Sequence, residues 1–145
     1  MTVCVSTELP IAAAEACRLA RTPALLSYVL WPWVQMTPDA PINADVAEGD
    51  ELLARLRFLG IVPGWTHTLR IDRLEECEIA TSERGGPVSA WNHTLTFEPC
   101  GVRACRYTDV VEIRAGVLTP LVALFAAFIY RYRQLRWRSL TRVIA

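Results

Sequence analysis

Hydrophobic and polar positions alternate with a period of two residues between Asp50 and Ala115. This period is typical of β-strands that bury one face. Short turns containing Gly and Pro, such as residues 84–87, interrupt the alternation, so we interpret the region as an antiparallel meander. The positions predicted to face inward are Leu52, Ala54, Leu56, Phe58, Trp65, His67, Leu69, Ile71, Cys77, Ile79, Thr81, Trp91, His93, Leu95 and Phe97.

The segment before the meander mixes both periods. Thr2 to Leu9 alternates and predicts a first strand. Pro10 predicts the start of a helix that stops before Pro23, and a second short helix is expected from Pro23 to about Leu30. The connection from Val34 to Val46 is rich in Pro, Asp and Asn, and we expect it to hold one short edge strand and to act as a flexible lid.

A long C-terminal helix is predicted from Thr119 to about Val143. Thr119 is expected to cap it and Pro120 to take the first helical position, and no Gly or Pro follows. About 24 residues would span about 36 Å, which is the width of a small domain. Apolar side chains crowd its first half and arginines its second half, so we expect a buried first half and a solvated second half. The apolar residues are Leu121, Val122, Leu124, Phe125, Phe128, Ile129 and Tyr132.

Composition predicts one domain covering residues 1–145. The hydrophobic content of 52% is sufficient for a core, and 15 basic residues balance 15 acidic ones, which gives no bias towards nucleic acid. No acid follows Glu112, so the C-terminal end is locally positive. We interpret these arginines as a solvated helix end that complements the helix dipole. The alternative is weak contact of Arg131, Arg133, Arg136 and Arg138 with anionic lipid, with Trp137 at the membrane interface.

The five cysteines favour neither a disulfide framework nor a metal site, because their number is odd and they form no C-x-x-C pair. The N-terminal segment has no basic region and carries Glu8, unlike a secretory signal. The longest apolar run is shorter than the roughly 18 residues of a membrane span. We therefore expect a cytoplasmic protein without a bound metal.

A short repeat holds the most informative side chains. Trp65-Thr-His67-Thr-Leu69 and Trp91-Asn-His93-Thr-Leu95 contain both histidines of the chain, and strand parity places both Trp/His pairs on the inward face. One interpretation is structural, with tryptophans as core bulk and histidines paired to nearby polar groups. The other is functional, because a neutral imidazole can bind a ligand's carbonyl or carboxylate and can transfer a proton.

Asp109 is the third candidate. In the last predicted strand it shares one face with Tyr107 and Val111, and it is the only charge on that face. It would lie opposite or diagonal to His93 if the preceding turn, placed at Pro99-Cys100-Gly101, has an odd number of residues, whereas a two-residue turn would reverse the pairing. A hydrogen bond between Asp109 and His93 would either set the tautomer of the imidazole or merely order the sheet.

Several short sequence motifs, taken in order, resemble those of the START-related, Bet v-type helix-grip superfamily. This superfamily is often labelled SRPBCC and includes polyketide cyclases and lipid-transfer domains. The resemblance covers nearly the whole chain. It implies an α+β fold in which a curved antiparallel sheet wraps around a long C-terminal helix, with two short helices after the first strand. It also implies a pocket for an apolar ligand. The motifs are Trp31-Pro32-Trp33, Glu48-Gly49-Asp50, Leu56 to Gly60, Trp91 to Pro99, Tyr107 to Glu112, and Phe128 to Arg131.

Two functions of different class follow. The first is binding or transport of a small hydrophobic molecule, such as a lipid, isoprenoid or polyketide-like compound, between the sheet and the C-terminal helix. The alternative is a polyketide cyclase, aromatase or dehydratase that uses His93, His67, Asp109 and Tyr107 as acid–base groups. No phosphate loop, dinucleotide fingerprint or nucleophile motif is present, and we expect no cofactor. The predicted pocket wall is Leu56, Phe58, Trp65, His67, Ile79, Trp91, His93, Tyr107, Phe125, Phe128 and Ile129.

Overall fold

The computed structural model describes residues 1–41 and 46–145. A short 3₁₀ turn at Gly116–Leu118 precedes the last helix. The other elements, in chain order, are β1 (Thr2–Leu9), α1 (Ala13–Ala20), α2 (Pro23–Leu30), β2 (Val34–Pro38), β3 (Glu51–Phe58), β4 (Val62–Leu74), β5 (Glu78–Gly85), β6 (Val88–Gly101), β7 (Ala104–Arg114) and α3 (Thr119–Ile144).

All of these strands form one curved seven-stranded antiparallel sheet in the order β1-β7-β6-β5-β4-β3-β2. The run from β2 to β7 is a meander, as the alternation predicts, and β1 joins it by pairing with β7. The long helix α3 packs on β1, β7 and α2, while α1 packs on β6 and β7. The predicted α+β architecture is therefore confirmed, including the two short helices after the first strand and the edge strand β2.

The core is densest where α1 and the C-terminal half of α3 meet β6 and β7. Trp137 of α3 is 1% exposed, and its ring lies 5.7 Å from that of Phe97 and 5.6 Å from that of Tyr107. Phe97 and Tyr107 stack on each other across the two strands at 5.0 Å. This aromatic cluster fills one end of the space between the helix and the sheet.

The expectation of a buried first half and a solvated second half of α3 is wrong. The first half exposes Leu121 by 66% and Leu124 by 69%, whereas the second half buries Arg133, Gln134 and Trp137. The second half is the part that packs against the aromatic cluster. The first half borders open space, so its apolar side chains remain partly in contact with solvent.

The N-terminal ends of two helices also differ from expectation, one in its position and the other in its capping. Helix α1 begins at Ala13 and not at Pro10, because Ala12 has an extended backbone and both Leu9 and Ile11 are buried in the core before the helix starts. Helix α3 begins at Thr119 as predicted, but the threonine does not cap it. Its hydroxyl accepts a hydrogen bond from the Ala115 backbone N–H at 2.9 Å and donates to the carbonyl of Gly116, which closes the preceding 3₁₀ turn.

The last hairpin turns two residues later than predicted. Strand β6 continues to Gly101, and an irregularity between Pro99 and Gly101 precedes a turn at residues 102–103. The register is thereby kept so that Asp109 remains on the inward face. Of the proposed lid, Val34 to Val46, residues 42–45 lie outside the described residues, and Val34–Pro38 form the edge strand β2. Among the described residues, no helix is long and apolar enough to cross a membrane.

Candidate ligand cavity

A cavity of about 730 Å³ lies between the inner face of the sheet and the first half of α3. Sites for small organic molecules are typically about 300–1,000 Å³ and mostly apolar. Most of the wall of this cavity consists of aliphatic and aromatic side chains from β3 to β6, α2 and α3. Its volume and its mostly apolar lining are therefore within the range typical of such sites.

Most of the predicted wall residues lie along this cavity. Each predicted wall residue lines the cavity except Tyr107. Tyr107 has no exposed surface and lies in the aromatic cluster described above, behind the wall. Asp109 is likewise fully buried and does not line the cavity, so it reaches the site only through the side chains that it contacts.

The cavity opens beside the first half of α3. Leu121, Leu124, Phe125 and Phe128 line it and are also exposed by 66%, 69%, 38% and 47%. The ring of Phe125 lies 6.2 Å from that of Phe58 on β3. An apolar molecule entering between the helix and β3 would meet hydrophobic side chains from the surface inwards.

One polar group on the wall is built around His67. Its Nε2 lies 2.9 Å from Oε2 of Glu83, and the other oxygen of Glu83 accepts a hydrogen bond from the Thr81 hydroxyl at 2.8 Å. Both Nδ1 of His67 and Nε1 of Trp65 are buried without a hydrogen-bond partner among the described residues. Sequence reasoning missed Glu83, although it continues the inward series of Cys77, Ile79 and Thr81 by one step.

The second polar group joins His93 to Asp109. Leu95 is directly opposite Asp109, which makes His93 its diagonal neighbour, as the sequence analysis proposed for one of two turn types. His93 Nε2 lies 2.8 Å from Asp109 Oδ1, and the hydroxyl of Tyr107 donates to the same oxygen at 2.7 Å. Gln134 donates to Oδ2 at 3.3 Å, so the carboxylate is held from three sides.

These contacts keep Asp109 ionised and orient His93. Burial alone would raise the pKa of Asp109, but the positive charge of Arg133 and the hydrogen bond from His93 outweigh burial and lower it. A carboxylate accepts the proton of Nε2, so in the neutral imidazole Nδ1 carries the lone pair. With Nε2 engaged, Nδ1 is the nitrogen of His93 that remains for a ligand.

A third polar group comes from α3, and the sequence analysis did not include it among the site residues. Tyr130 and Arg133 line the cavity, although they are only 4% and 7% exposed. The Trp91 indole donates to the Tyr130 hydroxyl at 3.1 Å, and Cζ of Arg133 lies 5.2 Å from the centre of the Tyr130 ring. Burial raises the pKa of Tyr130 above its ordinary value, which keeps the phenol neutral.

A helical spacing signal was available for these two residues. Ala126, Tyr130, Arg133 and Trp137 follow one another at intervals of four, three and four along α3, and all four are buried. Such intervals describe one face of a helix. The arginine was assigned to solvent on its charge alone, although its position lies on the buried face.

The arginine-rich surface expected at the end of α3 is smaller than the sequence suggested. Arg133 is buried, and Arg136 stacks on Tyr28, with Cζ 3.9 Å from the ring centre, while it donates to the Tyr28 carbonyl. Trp137 is in the core and not at a surface. Of the four arginines named for lipid contact, only Arg131 and Arg138 are exposed.

The sequence matches a known protein family over most of its length. The model of DUF8410, described as a domain of unknown function, matches residues 7–142. No curated protein matches the sequence at a significant level.

Solved structures share its fold at low identity. A protein from Chromobacterium violaceum is 14% identical with a TM-score of 0.77, covering 97% of this chain and 96% of that one. A START superfamily protein from Mycobacterium smegmatis is 14% identical with a TM-score of 0.72, covering 99% of each chain. A truncated norcoclaurine synthase from Thalictrum flavum is 14% identical with a TM-score of 0.64, covering 93% of this chain and 92% of that one. The fold is that of the START-related, Bet v-type superfamily, which confirms the resemblance found in the sequence.

Proposed function

The chain belongs to the DUF8410 family, and we propose that it binds or transports a small hydrophobic molecule in the cavity between the sheet and α3. The observation that carries the proposal is the cavity itself, about 730 Å³ of mostly apolar space in a chain of 145 residues. Well-packed protein interiors leave few voids larger than a water molecule. A space of this size in so small a domain is best explained by a ligand.

The chemistry of the wall narrows the ligand class. Aromatic rings from Phe58, Trp65 and Trp91 face the cavity, and the polar groups form a few separate clusters on an otherwise apolar surface. A lipid, isoprenoid or polyketide-like compound has this composition, with a large apolar body and few polar atoms. Burying such a body stabilises the complex by about 25 cal/mol for each Å² of apolar surface removed from water.

Two tryptophan substitutions on β3 provide a direct test. Leu56 is 7% exposed and lines the cavity, whereas Leu53, on the same strand, is 48% exposed and points away from it. We expect Leu56→Trp to fill the cavity and to weaken binding of dodecanol, measured by isothermal titration calorimetry, by tenfold or more. Leu53→Trp is the matched control and should bind as the wild type does. Equal binding by the two variants would place the ligand elsewhere and overturn the proposal.

A second candidate function is enzymatic, as a cyclase or dehydratase acting on a related substrate. The observation in its favour is the oriented His93, whose ring lies beside that of Tyr130, with ring centres 4.8 Å apart. Nδ1 would accept a proton from the substrate and the Tyr130 hydroxyl would donate one. Norcoclaurine synthase, an enzyme by its name, has a similar fold, so this architecture is compatible with catalysis.

Substitution of His93 separates the two functions. His93→Gln keeps a polar side chain of similar length but has no basic nitrogen. An enzyme would lose turnover and still bind its substrate, whereas a carrier would change only modestly in affinity. His67→Gln is the comparison variant, because it removes the other imidazole of the wall, which pairs with Glu83 and not with the buried Asp109.

A further inference from the structure

We propose that Arg133 binds the carboxylate of an amphipathic acid whose hydrocarbon part fills the cavity. This inference rests on the proposed function and specifies which hydrophobic molecules the cavity selects. It assigns to the buried arginine of α3 the role of recognising the ligand's polar head.

The state of the Arg133 side chain supports this role. It is 7% exposed and lines the cavity, and its Nε atom is buried without a hydrogen-bond partner. Among the described residues, no carboxylate forms an ion pair with its guanidinium. A buried charge without a direct partner is costly, and structures normally satisfy it with a counter-ion or hydrogen bonds. Here the guanidinium faces a cavity that has room for one.

The acids near Arg133 are already engaged by other side chains. Asp109 on β7 is a fully buried acid on the helix-facing side, and it receives hydrogen bonds from His93, Tyr107 and Gln134. Glu83 on β5 is bound by His67 and Thr81. Burial alone would lower the pKa of Arg133, but negative charge on its neighbours, Asp109 and Glu83 among them, outweighs burial and raises it. Arg133 therefore stays charged while its own donors remain available.

Tyr130 provides a second donor beside the arginine. The Tyr130 hydroxyl accepts the hydrogen bond of Trp91, which leaves its own proton to be donated. Its ring lies under the Arg133 guanidinium. One acceptor group at this place in the cavity would receive hydrogen bonds from both side chains.

The charge and shape of these donors favour a carboxylate. A planar guanidinium pairs with the two oxygens of a carboxylate in a bidentate arrangement. Arg21, the other arginine along the wall, is exposed and donates to the carbonyl of Glu75 at 2.6 Å. One buried arginine, partly balanced by Asp109, matches a single negative charge better than the double charge of a phosphate. The apolar walls around it match a hydrocarbon chain or ring system.

The test compares a matched acid and alcohol on the wild-type protein. Dodecanoic acid and dodecanol share a chain length and differ in the head group, and their affinities are measured by isothermal titration calorimetry near pH 8. We expect the acid to bind roughly ten- to a hundredfold more tightly, as for a charge-assisted pair in a dry site. Equal affinity would overturn the role of Arg133 and leave the proposed function standing. Failure of both probes, and of a panel of aromatic polyketides, would overturn the proposed function as well.

The pH dependence shows which form of the acid binds. Because Arg133 stays charged, affinity for dodecanoate should be unchanged between about pH 7 and about pH 9. If only the neutral acid were bound, affinity would fall about tenfold for each pH unit in this range. That fall would contradict the proposal without the use of any variant.

Variants then assign the effect to the residue. Arg133→Gln should remove the preference for the acid and leave dodecanol affinity within a few-fold of wild type, while Arg133→Lys should retain part of the preference. Arg138→Gln, an exposed arginine on the same helix, is the matched control and should retain all of it. Persistence of the full preference in a folded Arg133→Gln protein would overturn the assignment. If that variant does not fold, Arg133→Lys and the wild-type comparison still decide.

Discussion

His93 and Asp109 are diagonal neighbours on β6 and β7, with Nε2 of the histidine 2.8 Å from Oδ1 of the aspartate. The aspartate is fully buried behind the cavity wall, and the histidine forms part of the wall. A charge that a ligand cannot touch therefore determines the orientation of a side chain that a ligand can touch. We propose that the pair serves both the fold and a ligand site, and the two roles need separate measurements.

The pH dependence of stability tests the role of Asp109 in the fold. The pKa of Asp109 is lowered in the folded protein, because Arg133 and the hydrogen bonds outweigh burial. Its ionised form therefore stabilises the fold at neutral pH, and this contribution disappears as the pH falls through the folded-state value, below about pH 4. We expect Asp109→Asn to lower the free energy of unfolding at pH 7 by about 1–3 kcal/mol in urea titrations.

The matched control for Asp109 is Glu112, an exposed acid on the same strand. Glu112→Gln should leave the free energy of unfolding within about 0.5 kcal/mol of wild type. The difference between Asp109→Asn and wild type should also shrink between pH 7 and about pH 3, because the unfolded chain takes up a proton at this carboxyl below about pH 4. A constant difference at both pH values would mean that Asp109 does not act through its charge.

Two alanine substitutions on α3 test where the ligand lies. Phe128 lines the cavity and makes an edge contact with Trp33 at 4.9 Å, while Leu135 is 56% exposed and does not line the cavity. We expect Phe128→Ala to lower the free energy of unfolding by about 1 kcal/mol and to weaken dodecanol binding about tenfold. Leu135→Ala should change neither quantity appreciably. Unchanged binding by Phe128→Ala would show that its ring supports the core and not the ligand.

Two glycines with nearly the same φ angle test the packing of Trp65. Gly86 has φ of 54° and Gly116 has φ of 56°, so alanine should cost each site about 1 kcal/mol of backbone strain. A Cβ at Gly86 would overlap Trp65 Cδ2, whereas a Cβ at Gly116 would meet nothing within 4 Å. Gly86→Ala should therefore be destabilised by about 1–3 kcal/mol more than Gly116→Ala in urea titrations.

Tryptophan fluorescence provides a second readout of the same pair. Trp65 lines the cavity, so a displaced indole should change the emission of Gly86→Ala and its binding of dodecanol. Gly116→Ala should retain wild-type emission. Equal losses of stability in the two variants would indicate that the indole moves aside without cost.

The sheet and most of the cavity wall could be predicted from the sequence because strand parity is a strong rule. Side chains of one strand alternate strictly between two faces, so a correct position for one residue, such as Trp65, also places His67 and Leu69. The same rule could have identified Glu83. The turn after β6 was placed two residues early, yet the irregularity near Pro99 kept Asp109 on the inward face.

The burial of α3 could not be predicted in the same way. The chemical character of a residue indicates its preference, but a helix is buried only where another layer covers it. The first half of α3 borders a cavity, so Leu121 and Leu124 stay exposed despite their apolar character. The second half lies under the aromatic cluster, where Arg133 is carried inside by its position on the buried face. The sequence shows this spacing but does not show which part of the helix the sheet covers.

Native mass spectrometry of the purified protein, followed by denaturing extraction, tests the ligand cavity most directly. We expect a bound molecule of lipid or polyketide size that is released on unfolding. If the protein is purified free, we expect a mass shift when fatty acids, fatty alcohols and aromatic polyketides are added. Leu56→Trp should show neither, and Leu53→Trp should behave as the wild type. A free wild-type mass that none of these compounds shifts would contradict the claim that the cavity is a binding site.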